Sequence, residues 1–250
     1  MNRMESRLFK LTRPEVEEYL KDNDTVLVPV GSTEQHGKHM PVDTDAFTAQ
    51  EISLRVAQKT GVLVAPVISY GYSPHHMNFA GSVTLSFRTL VNVLKEVCGS
   101  LIHHGFKKIV LMNAHGGNTN AIRLALKEIE METGIRVYSV MVYPSENGFG
   151  AEGTKVLTQE GGGHACESET SIGLELGHRI LMDRAEKWRP DYRSIPDSDR
   201  GKVAAAYMFD EHTSIGNLGD PTIATKEKGK VLVDSVVKDL AEFIKDVKKR

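Results

Sequence analysis

A chain of 250 residues, 40% of them apolar, can bury a sizeable core, and nothing in it forces a division, so a single domain over residues 1–250 is expected. Its 31 Lys and Arg stand against 33 Asp and Glu, a formal charge of -2 that leaves no excess for gripping a polyanion and argues against a nucleic-acid partner. No stretch approaches the roughly 20 apolar residues that cross a bilayer. Two cysteines, Cys98 and Cys166, cannot build a disulfide framework, and the opening MNRMESRLFKLTRPE lacks an apolar signal run, so a cytoplasmic protein with no membrane partner is expected.

In chain order, the first expected strand is Thr25 to Val30, followed by strands at 62–68, 108–112 and 136–142, all short, β-branched and read as buried. Between the later strands, Leu90, Leu94, Val97 and Leu101 keep a helical spacing, as do Ile122, Ala125 and Ile129, with Gly105 and Gly134 as stops. The interval 187–220 is polar, carries Pro190 and Pro196, and keeps a period only around 203–208. It reads as an excursion that forms a site wall or a subunit contact. A last helix follows from the apolar stripe Leu232, Val236, Leu240, Phe243 and Val247. Strand and helix alternate, which predicts a layered α/β fold with a mostly parallel central sheet flanked by helices.

The chemistry gathers after the first strand, in VGSTEQHGKHMPVDTD. Glu34 and His36 are two apart, so an extended backbone sends both to one side, and Asp45 at the start of the next helix can join them. KKIVLMN then ends in AHGGN, which puts His115 at the same sheet edge, where ligands of open α/β sheets gather. Imidazoles with carboxylates suit a first-row divalent ion, whether zinc, manganese or iron(II). A third patch, GGGHACESETS, holds His164, Glu167 and Glu169, where an acid or base could sit.

Each part also has a plainer reading. His39, His75, His76, His103, His104, His178 and His212, taken singly, read as surface or hydrogen-bonded histidines, Glu169 could cap a helix starting near Thr170, and Cys166 could be a small buried apolar residue. Strand-end placement of Glu34, His36, Asp45 and His115 together resists that treatment, because buried carboxylates are costly unless paired or metal-bound.

VGSTEQHGKHMPVDTD, YGYSPHHMNFAGSVTL, NAHGGN, GGGHACESETS and GDPTIATKEKG, in that order over about residues 25 to 235, resemble the creatininase (creatinine amidohydrolase) family. The resemblance implies an α/β homo-oligomer, often a hexamer, with two divalent metal ions per subunit and a small-molecule substrate. It makes Glu34 and His115 ligands of one metal, His36 a ligand of the other and Asp45 the bridge, with a metal-bridging hydroxide attacking the scissile carbonyl. His164 matches the family's catalytic histidine, the proton donor to the leaving nitrogen. Ser73 and His76 match a substrate-side loop.

Two departures stand out. Gly117 lies where creatinine-cleaving members carry a glutamate ligand, so Glu169, with Glu167 in reserve, is the expected replacement; a single-metal site is the other outcome. Trp188 is the sole tryptophan, whereas those members clamp substrate with tryptophans, which points away from creatinine. The expected activity is hydrolysis of a cyclic or formylated amide C–N bond in a small polar metabolite. The alternatives are hydrolytic opening of a cyclic ketone such as an oxidised inositol, or a catalytically inactive metal-binding protein.

Overall fold

Six consecutive buried residues, Thr25–Val30, form strand β1, and a run that is apolar on both faces is what a strand covered on both sides requires. The computed structural model describes residues 5–159, 163–189 and 206–250. Four strands, β1, β2 (Leu63–Val64), β3 (Lys108–Asn113) and β4 (Tyr138–Met141), lie in the order β2-β1-β3-β4 with every pairing parallel.

Alternate β1 residues serve opposite layers. Leu27 packs with Val110, Met112 and Val140 against helices α2 (Thr44–Thr60) and α7 (Lys226–Lys249). Val26, Val28 and Val30 pack with Ile109 and Leu111 against α3 (Phe87–His103) and α4 (Thr119–Thr133). Helix α1 (Arg13–Asp22) adds Tyr19 to the second layer, while α5 (Ala151–Thr154) and α6 (Glu167–Leu176) lie against α7. The α4 stop falls where expected, with Gly134 left-handed at φ 71°. The α7 stripe is buried at Leu232, Val236, Leu240 and Val247, with Phe243 partly buried against the same core.

Two strands differ from expectation. The run 62–68 keeps regular pairing only at Leu63–Val64, because Pro66 offers no N–H; the chain rejoins β1 where the Ile68 N–H donates to Pro29 O at 3.0 Å. The run 136–142 forms strand at Tyr138–Met141 alone; within that strand only Val140 is buried, as befits an edge strand, while Val137 and Val142 are buried on either side of it. Residues 190–205, most of the polar excursion, lie outside the described residues, as do Gly161 and Gly162. Among the described residues no helix is long and apolar enough to cross a membrane.

Candidate metal centre

The site begins where β1 ends. A Cβ on Gly31 would stand 2.4 Å from the Ala46 Cα, so glycine lets the end of β1 press onto the first turn of α2. That contact brings Glu34 and His36 to Asp45. His115 arrives from the end of neighbouring β3, and the asparagines of NAHGGN brace its turn: Asn113 Oδ1 accepts from the His115 N–H at 3.1 Å, and Asn118 Nδ2 donates to Gly31 O at 2.9 Å. The loop before α6 supplies His164, and the first turn of α6 supplies Glu169.

Asp45 faces two imidazoles at once, with Oδ1 3.3 Å from His36 Nε2 and Oδ2 3.2 Å from His115 Nδ1. Glu34 Oε2 is 3.2 Å from His115 Nδ1, and Oε1 is 3.8 Å from His164 Nδ1. The distal nitrogens orient the rings. His115 Nε2 is 3.1 Å from both Tyr72 O and Ser73 Oγ, and His36 Nδ1 is 3.1 Å from Glu34 O, which leaves His115 Nδ1 and His36 Nε2 facing the carboxylates. Two triads of buried donors result: Glu34, Asp45 and His115, and Glu34, His36 and His164. Glu169 stands just outside the second, with Oε2 3.9 Å from His36 Nε2 and accepting from the Ala165 N–H at 2.5 Å.

Charge is concentrated here among buried side chains. Burial alone would raise the Glu34 carboxyl, but His115, His76 and His36 together hold it below the usual carboxylate range. Burial likewise opposes a charged His36, yet Asp45 outweighs it and lifts that imidazole to about 10; His115 is raised well above its ordinary value against burial by Glu34 and Asp45. Glu169 is pushed up to about 7 by burial, and His164 well down by burial beside His36 and His76. His36 Nε2 and Asp45 Oδ2 are buried and, despite their charged neighbours, make no hydrogen bond of acceptable geometry. Orphaned donors of this type, ringed by carboxylate and imidazole, fit a divalent first-row ion.

Ser73 is brought to the centre, but its hydroxyl donates to Glu34 Oε2 at 2.5 Å and touches Ser32 Oγ at 2.5 Å instead of lining the open space. His76 does line it, with Nε2 3.5 Å from Glu34 Oε1. Glu167, the reserve ligand, is not available: its carboxylate accepts from Thr158 N and Gln159 N at 3.0 and 2.7 Å and is paired with Lys228. Gly117 has its Cα so near the His115 ring that a Cβ would fall 2.4 Å from Nε2. Trp188 stands off the cavity, donating its indole N–H to His212 O at 2.8 Å. His39 is hydrogen-bonded to Thr170 Oγ1 at 2.9 Å, and His178 stacks on Phe47 and pairs with Asp43.

Sequence reasoning missed Ser32, Gln35, Tyr143 and Phe209. Ser32 was detectable, being two residues before Glu34, and so was Tyr143, just past β4 at the same sheet edge, where its hydroxyl lies 3.5 Å from Asp45 Oδ1. Phe209, whose ring lies 4.1 Å from that of His76 and 4.8 Å from that of His164, carried no local signal. Tyr143 and Phe209, with Glu34, Asp45, His115 and His164, open onto a cavity of about 920 Å³, lined further by Tyr72, Met141, Tyr207 and Leu218.

Residues 10–244 match the family Creatininase, described as creatinine amidohydrolase. A mycofactocin precursor peptide peptidase of Mycobacterium ulcerans (strain Agy99) is 33% identical over 232 residues, covering 88% of this chain and 84% of that protein. A 3-dehydro-scyllo-inosose hydrolase of Thermotoga maritima is 29% identical over 267 residues, covering 96% of this chain and 83% of that protein. The solved structure "Creatininase Mn" superposes with a TM-score of 0.83 at 27% identity, covering 98% of this chain and 99% of that one.

Proposed function

This chain belongs to the creatininase family of metal-dependent amidohydrolases, and on that premise we propose that it holds two divalent metal ions per subunit and hydrolyses a cyclic or formylated amide C–N bond in a small polar substrate. The observation that carries the reading is Asp45, whose two carboxylate oxygens turn to different imidazoles, His36 and His115, and so suit a bridging ligand. Glu34, Asp45 and His115 would hold one ion; Asp45 and His36, with Glu169 in the role that Gly117 leaves open, would hold the other. Zinc, manganese and iron(II) all fit such a set, and the manganese of the solved relative favours the first-row assignment.

Metal ions bound there supply a water of lowered pKa and polarise the scissile carbonyl. The protein's own groups manage protons and position. His164, held neutral by burial, takes a proton from the attacking water and delivers it to the leaving nitrogen. The carbonyl carbon gains the hydroxyl, the C–N bond breaks, and the amine leaves neutral. His76 meets the substrate from the cavity wall, whereas Ser73 acts through Glu34, which its hydroxyl holds. A substrate other than creatinine belongs to this reading, since Trp188 does not reach the cavity. The Thermotoga relative favours a second reading, in which the same activated water opens a cyclic ketone.

Metal analysis of the purified protein, combined with product analysis on an N-formyl amide, a lactam, a short peptide and a cyclic ketone, tests this. Two metal equivalents are expected, with amine released, and His164→Ala should retain metal while losing about 10²–10⁴-fold in turnover. An open-chain acid formed from the ketone alone would replace the first reading by the second. One ion per chain would remove the two-metal assignment, and unchanged turnover in His164→Ala would remove the proton role.

A further inference from the structure

Gln35 sits between the two residues Glu34 and His36, buried to 5% exposure, and makes more contacts than its hydrogens can serve. Its Oε1 accepts from the Gly37 N–H at 2.9 Å. Its Nε2 lies 2.8 Å from Gly216 O, 2.9 Å from His76 Nδ1 and 3.1 Å from His164 Nε2. The amide cannot be turned over, because that would set Oε1 against the Gly216 carbonyl and Nε2 against the Gly37 N–H. Two N–H bonds therefore face three neighbours.

His164 decides how they are shared. Its Nε2 is also 2.7 Å from the Gln35 backbone carbonyl. A protonated Nε2 donates to that carbonyl and leaves both Gln35 hydrogens for Gly216 O and His76 Nδ1, so that every group is satisfied. An unprotonated Nε2 would put a lone pair against a carbonyl oxygen and take a hydrogen away from one of the other two. Only the first arrangement leaves no buried group unpaired.

We propose that Gln35 is a positioning residue that fixes two tautomers: its side chain keeps His76 protonated on Nε2 alone, and its backbone carbonyl keeps the Nε2 proton of His164, freeing His164 Nδ1. The two rings then present opposite polarity. His76 Nε2–H faces Glu34 and the cavity as a donor, suited to a substrate oxygen, while His164 Nδ1 faces Glu34 as an acceptor, suited to a proton of the attacking water. This assignment rests on the proposed role of His164 as proton carrier, and it names the nitrogen that does the work.

The test reads protons directly, without substrate. Zinc-loaded protein labelled with ¹⁵N-histidine, with cross-peaks assigned through His76→Asn and His164→Asn, should show His76 Nδ1 and His164 Nδ1 without a proton. Gln35→Glu offers His76 only acceptors, so the proton of His76 should move to Nδ1; Gln35→Met, which removes the side-chain bonds without adding charge, should leave His76 a mixture of tautomers. His164 should keep its Nε2 proton in both, since the backbone carbonyl remains. A His76 already protonated on Nδ1 in the parent protein, or an unchanged His76 spectrum in folded, zinc-loaded Gln35→Glu and Gln35→Met, would overturn the proposal. Loss of turnover in His164→Ala is scored separately, so failure of the tautomer assignment is distinguishable from failure of the hydrolase reading.

Discussion

Gly117 stands where a creatinine-cleaving pattern carries a glutamate, and the backbone there has closed over the space a side chain would need. A Cβ would lie 2.4 Å from both His115 Nε2 and Tyr72 O, neither of which can retreat without releasing the ring that faces Asp45. Gly117→Ala should therefore lower metal affinity about 10–100-fold, in the range of other changes to groups that orient ligands. Gly117→Glu should do the same instead of adding a ligand. Metal content after dialysis reads both; tighter binding in Gly117→Glu would refute the steric argument. His36 carries a second prediction. Asp45, against burial, keeps its proton in place up to about pH 10 in the metal-free protein, so an entering ion must displace it. Metal affinity should rise with pH toward that value and fall on acidification, with protons released on loading. Calorimetric titration in two buffers of different ionisation heat gives the number, and a pH-independent affinity would contradict the assignment of His36 as a ligand.

At the scale of elements, the N-terminal turn of α6 divides its two glutamates between structure and site. Positions two apart on a helix point roughly 200° apart, and here Glu167 turns to Lys228 of α7 while Glu169 turns to His36. Glu167 also receives the backbone N–H groups of Thr158 and Gln159, so one carboxylate ties the 158–159 loop, α6 and α7 together. Glu167→Gln leaves Lys228 without its carboxylate, holding only Thr158 Oγ1 and Ile223 O, and should cost about 3 kcal/mol, the low end for a broken buried pair because Lys228 is partly exposed. Burial alone would raise this carboxyl, but Lys228, Gln159 and Thr158 hold it below the usual range. Its folded pKa is thus depressed, so its contribution is present above the unfolded value of about 4.3 and is lost as pH falls through the lower folded value. Urea midpoints for parent and Glu167→Gln should differ most at neutral pH and converge in acid. A gap that stays constant to pH 3 would show that the pair is not the cause.

Across the whole molecule, the metal ligands proposed here come from the β1–α2 junction, the end of β3 and the start of α6. An ion bound by all of them favours the folded state over the unfolded by mass action, about 2.7 kcal/mol when free metal stands at 100 times its dissociation constant. For a chain of this size that is roughly 5–10 °C in melting temperature. Chelation should lower the melting temperature by about this amount and added zinc or manganese should restore it. A melting curve indifferent to chelator would remove the assignment of these residues as metal ligands. The homo-oligomer belongs to the same reading and is measured by light scattering, where a monomer's mass would remove it.

Several of these features were legible in the amino-acid sequence. β1 was readable to the residue, because Thr25 and the five apolar residues after it form a short β-branched run that a strand covered on both faces requires, and the α7 stripe was readable from its period. The spacing of Glu34 and His36 and the glycines beside His115 marked the centre, since local backbone geometry sets which neighbouring side chains share a side. Tertiary structure decided the rest. Glu169 and Glu167 look alike in ESETS, and only the position of Lys228, 61 residues on, separates them. The partners of the Gln35 amide lie 41, 129 and 181 residues away. Contacts over such separations obey no period in the chain, because they depend on how layers pack rather than on how one backbone segment turns; so the gathering of Glu34, His36, Asp45 and His115 at one sheet edge could be read from the linear sequence, and the partners of the Gln35 amide could not.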